Sequence, residues 1–109
     1  MPSVESPWPD VPVCLSPGLI QVKNGDEFSI GLDTSGMLGN SWSADFDESV
    51  ISLMEKKVVT FDPGQMLGTC WFRFKAIGRD FSFTTITLDY TGPDGDLLTR
   101  LQYGINVIE

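Results

Sequence analysis

The sequence predicts an all-β sandwich of about seven to eight short strands. Three features point there. Apolar residues recur with a period of two in one stretch after another, the spacing that turns one face of a strand to a core. Turn-forming residues separate these stretches, as at Asn24-Gly25-Asp26, Asp62-Pro63-Gly64 and Thr91–Asp96. No segment carries a convincing helical stripe; the best candidate, Glu48–Glu55, would make a turn or two.

Along the chain, residues 1–10 (MPSVESPWPD) hold three prolines and no periodicity. They read as a flexible arm whose Trp8 either packs on the sheet or is disordered. Residues 11–109 form the domain. Leu19–Lys23 puts Ile20 and Val22 on one side, and Asn24-Gly25 then signals a hairpin, because both residues tolerate positive φ. Glu27–Leu32 alternates Phe28, Ile30 and Leu32 against polar or small residues. After the loop-like stretch DTSGMLGN, Ser41–Phe46 turns Trp42, Ala44 and Phe46 inward. Val50–Met54 and Lys57–Phe61 are two further short strands. Cys70–Ala76 alternates cleanly: Cys70, Phe72, Phe74 and Ala76 face the core, while Trp71, Arg73 and Lys75 face outward. In the next strand Phe81 and Phe83 put apolar residues at odd positions, and Ile86, Leu88 and Tyr90 put them at even ones; the phase slips at Thr84-Thr85, which predicts a bulge or bend. The last strand, Thr99–Ile108, alternates Leu101, Tyr103, Ile105 and Val107.

The chain has 109 residues, which fits one domain with its own core. Its net charge is −8, which argues against nucleic acid and against anionic membranes as partners. The first ten residues lack the basic start and apolar run of a signal peptide. The expected location is therefore cytoplasmic, or periplasmic or secreted if a leader has been removed. There is no histidine, which removes the commonest general base and metal ligand. With no nucleophile beside a base, the sequence predicts no enzyme, no cofactor and no metal. Asp94 and Asp96 have the spacing that opens a calcium loop, but the remaining ligands are missing. Cys14 and Cys70 form either one disulfide or two reduced thiols.

One pattern occurs twice. Residues 36–42 read GMLGNSW and residues 65–71 read QMLGTCW, so Met-Leu-Gly-x-x-Trp repeats 29 residues apart. The flanking sequences do not match, so this is not an architectural repeat. Met-Leu before a glycine is unusual in a solvated loop.

The layout resembles the chagasin family, immunoglobulin-like inhibitors of papain-type cysteine peptidases. LIQVKNGDEFSIGL matches the family's opening pair of strands. Counted from Leu32, the family's NPTTG loop lies over Ser35-Gly36-Met37-Leu38-Gly39, with its following tryptophan at Trp42. The GxGG loop lies over Gln65-Met66-Leu67-Gly68. The RPW loop lies over Gly92-Pro93-Asp94, and LQYGINVIE matches the last strand. The frame is kept while the letters change: only Gly39, Gly68 and Pro93 keep the family's residue. The resemblance implies an immunoglobulin-like sandwich of the chagasin type with all three loops at one end.

On that placement, Met37, Leu38, Met66 and Leu67 either form an exposed apolar patch of ~300 Å² or more, the size that marks binding, or fold back and plug the end of the core. Trp71 is either a sheet-surface contact beside Arg73 and Lys75 or a rim contact with a partner. The resemblance implies a monomeric, reversible, non-covalent inhibitor of a papain-like cysteine peptidase. Its contacts would come from Ser35, Gly36, Met37, Leu38, Gly39, Gln65, Met66, Leu67, Gly68, Trp71, Gly92, Pro93 and Asp94. The alternative is a binding or assembly module for another protein, with the scaffold kept and inhibition lost.

Overall fold

The computed structural model describes residues 6–14, 18–34, 40–62, 67–78 and 82–108, with backbone alone at 60–62 and 67. In chain order the strands are β1 (Val13–Cys14), β2 (Leu19–Lys23), β3 (Glu27–Thr34), β4 (Ser41–Asp45), β5 (Ile51–Asp62), β6 (Leu67–Ala76), β7 (Phe83–Thr91) and β8 (Leu97–Ile108). They form two four-stranded sheets, β1-β3-β6-β5 and β2-β8-β7-β4. The predicted sandwich is therefore what the chain adopts. Its interior is filled by the alternating positions. Phe28, Ile30, Leu32, Phe72 and Phe74 come from one sheet; Trp42, Ile86, Leu88, Tyr103, Ile105 and Val107 come from the other. Phe74 is the hub, with Phe28 and Phe46 at 5.5 Å and Phe72 at 6.0 Å between ring centroids. Burying each such side chain contributes about 1.5–3 kcal/mol.

Two local expectations are corrected, at Asn24-Gly25 and at Thr84-Thr85. Asn24-Gly25 makes a tight turn, with Gly25 at φ 94° and Asp26 N–H donating to the Lys23 carbonyl at 3.0 Å, but not a hairpin. The strands on either side belong to different sheets, and the turn carries the chain across the sandwich. The turn chemistry is local; the partner of each strand is decided by burial.

Glu48–Glu55 is not helical. Residues 48–50 turn, and a single strand runs from Ile51 through both predicted apolar stretches. The register shifts between Leu53 and Glu55, which brings Lys56 opposite Phe72 and Val58 opposite Cys70. β5 is a long sheet edge, and the bulge together with Lys56 and Lys57 discourages strand addition there.

The bulge predicted at Thr84-Thr85 is absent. Pairing of β7 with β8 runs unbroken from Phe83↔Asn106 to Tyr90↔Thr99. Thr84 points into the core, and Phe83 lies outside at 60% exposure. Gly104 explains the exchange: a Cβ there would lie 3.3 Å from Phe83 Cζ and 3.4 Å from Leu19 Cδ1, so the bare backbone seats both side chains. Cys14 and Cys70 are free thiols. Burial holds both above the ordinary thiol range.

Surface charges pair across the ladders. Arg73 binds Glu27 bidentately at 3.1 and 2.9 Å, and Arg100 binds Asp89 at 2.6 and 3.1 Å. The hydrogen bond from Arg73 lowers the Glu27 pKa below its ordinary 4.5, and the one from Arg100 lowers that of Asp89 below 3.8. A lowered carboxylate pKa gives stability that is present above the unfolded value and lost as pH falls through the folded one. Chemical denaturation should therefore show stability falling below about pH 5, and falling less steeply in a Glu27→Gln/Asp89→Asn variant. The difference is expected to be small, because both pairs face solvent.

Candidate functional site

One end of the sandwich is assembled by two strand pairings. Thr34 pairs with Gly68, which joins the stem of the 35–39 loop to that of the 63–66 loop. Ser41 pairs with Thr91, which joins the return of the first loop to the start of the 92–96 loop. All three loop stems therefore meet at one end, although they lie far apart in sequence.

Trp42 fixes this end. Its indole N–H donates to the Asp33 carbonyl at 2.9 Å, tying the strand after the first loop to the strand before it. Its ring packs 4.7 Å from Tyr90, and its own carbonyl accepts a 2.6 Å hydrogen bond from Lys56 Nζ. Lys56 also lies 5.5 Å over Phe72, so its stem closes the open side between β4 and β5.

The third loop is tightly held. Gly92 N–H donates to the Asp96 carbonyl at 2.9 Å, and Gly95 N–H donates to Gly92 at 3.0 Å. Gly95 sits at φ 85°, a conformation that favours glycine. Gly92 is half-buried, and Pro93 and Asp94 are exposed. Leu97 and Leu98 follow, exposed by 52% and 54%. The sequence predicts a loop over Thr91–Asp96 and a strand from Thr99, which leaves both leucines unassigned; β8 takes them in.

Of the residues predicted for the site, Ser35, Gly36, Met37, Leu38, Gly39, Gln65 and Met66 lie outside the described residues. Leu67 and Gly68 open β6, with Gly68 held between Thr34 and Thr60. Trp71 is corrected. It lies on the outer face of its sheet, as its phase requires, but it is only 4% exposed. Trp8, Val11 and Val59 cover it. The tail of the predicted arm is thus a packed strap, held further by Ser29 N–H donating to the Pro12 carbonyl at 2.8 Å. Arg73 stacks over Trp8 at 5.8 Å rather than over Trp71. Trp71 cannot be a rim contact while the strap is in place.

Among the described residues, Asp33, Asp94 and Asp96 are exposed at this end, and Lys57 is exposed farther along β5. Lys56 is bound to Trp42, and Arg100 to Asp89. Among the described residues, no group of three acids or thiols is placed to hold a metal. A depression of about 530 Å³ lined by Ala44, Phe46, Ile51 and Leu53 lies toward the other end of β4 and β5.

This architecture is shared with a cysteine protease inhibitor from Entamoeba histolytica, EhICP2. The match has a TM-score of 0.74 at 20% identity and covers 92% of this chain and 99% of that one. The fold is chagasin-like. Amebosin, known from a solution structure, has the same fold at a TM-score of 0.60 and 19% identity, over 83% of this chain and 86% of its own. No protein-family model matches the sequence, and no curated protein matches it. The chagasin-like frame is thus kept by the pattern of burial and strand pairing, with little of the sequence in common.

Proposed function

We propose that this chagasin-like domain is a reversible, non-covalent inhibitor of papain-like cysteine peptidases. The convergence of the three loop stems through Thr34↔Gly68 and Ser41↔Thr91 supports it most directly. A wedge of three loops, rooted on paired strands, can fill a peptidase cleft and exclude substrate without any chemical step. The rigid stems lower the ordering cost of binding. Ser35–Gly39, Gln65–Gly68 and Gly92–Asp94 are the proposed contacts, with Met37, Leu38, Met66 and Leu67 giving apolar area. Methionine suits a surface that adapts to its partner. Burial of Trp71 removes it from this set.

A non-inhibitory binding module is the second reading. It is favoured by the altered third loop, where Gly92 and Asp94 replace the arginine and tryptophan that the family resemblance implies.

Titration of papain and two cathepsin-type peptidases with the purified domain, followed with a fluorogenic substrate, separates the two. Competitive inhibition at nanomolar concentration, about −12 kcal/mol of binding, is expected. Absence of inhibition at tens of micromolar sinks the inhibitor reading. A Met37→Ala/Leu38→Ala variant should then bind at least tenfold more weakly with its stability almost unchanged. A stability loss of ~2 kcal/mol or more for each truncated residue would instead mean that they plug the core.

A further inference from the structure

We infer that Leu97 and Leu98 are the apolar anchor of the third loop, contacting an apolar wall of the peptidase cleft; this rests on the inhibitor reading above. Four observations carry it. The first four residues of β8 are all exposed, so this hairpin extends beyond the core and packing does not require leucine there. The register shifts at this point: Thr91 pairs with Leu97 and Tyr90 with Thr99, so Leu98 has no opposite residue. A bulge re-aims side chains, and the two adjacent leucines beside it are both exposed. Finally, a Cβ at Gly92 would lie 3.8 Å from Leu98 Cδ1, so Leu98 lies beside the loop's glycine.

Gly92 has no side chain to cover this leucine, and the loop carries no aromatic residue of its own. The pair therefore supplies the only large apolar side chains in the segment from Gly92 to Leu98. Asp94 and Asp96 stand exposed beside it. An apolar spot with an acidic rim fits a cleft that has an apolar wall and basic groups around it.

The test is inhibition of papain by the wild-type domain and by Leu97→Asp, Leu98→Asp, Leu98→Thr and Phe83→Asp, each first checked by thermal unfolding. Phe83 is the control, somewhat more exposed at 60% and eight residues from Thr91 on the same strand, about 27 Å away at the usual strand rise. Leu97→Asp and Leu98→Asp should each raise the inhibition constant at least tenfold. Leu98→Thr, which keeps a strand-forming residue, should raise it several-fold, and Phe83→Asp should stay within twofold of wild type. If wild type inhibits and the leucine variants match it within twofold, the anchor is wrong and the inhibitor reading stands. Equal weakening by Phe83→Asp also overturns the anchor, since the effect would not be local. A wild-type domain that does not inhibit overturns both.

Discussion

Replacing Trp42 with alanine is expected to lower the unfolding free energy by about 3–5 kcal/mol, the range for removing a large buried aromatic. The ring is 5% exposed and packs against Tyr90 at a tilt of 31°. Trp42→Phe separates packing from anchoring. It retains an aromatic ring but loses the indole donor to the Asp33 carbonyl. That bond should account for about 1 kcal/mol, within the usual range for a neutral hydrogen bond. Its functional effect should be larger than its effect on stability, because the bond joins the two strands that carry the 35–39 loop. Urea denaturation measures the first quantity and papain titration the second. A loss of under ~1.5 kcal/mol in Trp42→Ala would mean that the core closes over the missing ring and that Trp42 does not hold this end.

Gly31→Ala should destabilise the domain by about 1–3 kcal/mol, the usual cost of overpacking. The sign opposes the ordinary preference, since alanine in a strand is normally better than glycine by ~0.5–1 kcal/mol. A Cβ at Gly31 would come within 2.6, 2.7 and 2.9 Å of three atoms of the Trp71 ring. That ring cannot swing away freely, because Trp8, Val11 and Val59 hold it from the other side. The indole must therefore move and loosen the strap above it. Tryptophan emission should shift to the red as Trp8 and Trp71 gain contact with water. In a Trp71→Leu background the same Gly31→Ala change should cost at least 1 kcal/mol less, as expected for residues in direct contact. Additive effects would show that Gly31 and Trp71 do not meet.

The strands were legible because their apolar residues alternate. Cys70–Ala76 and Tyr103–Val107 lie buried where their phase puts them. What sequence could not supply was the partner on the far side. Trp71 has the phase of an outward residue, and that is correct; its cover comes from Trp8 and Val11, about 60 residues earlier in the chain. Phe83 reads as core, yet Gly104 offers it an outer seat and Thr84 goes in. Asn24-Gly25 fixes a turn and leaves open which sheet the next strand joins. At the candidate site, the resemblance aligns three loops, and the pairings Thr34↔Gly68 and Ser41↔Thr91 bring their stems to one end. Leu97 and Leu98 escaped because they fall between the loop and the strand that the sequence marks, on a hairpin that extends beyond the core, where periodicity carries no burial signal.

The pairing of β2 with β8 has a mechanical consequence. The two strands are parallel, and five residue pairs join them, from Leu19↔Gly104 to Lys23↔Ile108. The Gly18 carbonyl accepting from Gly104 N–H at 2.9 Å and Asn24 N–H donating to Ile108 at 3.2 Å extend the ladder at both ends. Because the strands run the same way, tension pulling Gly18 and Ile108 apart acts along the ladder and not across it. Every hydrogen bond is then loaded in shear at once, instead of one after another as in a peeled hairpin. The sandwich is thus braced against forces that draw Gly18 and Ile108 apart, while the loops at the Trp42 end lie outside that line of tension.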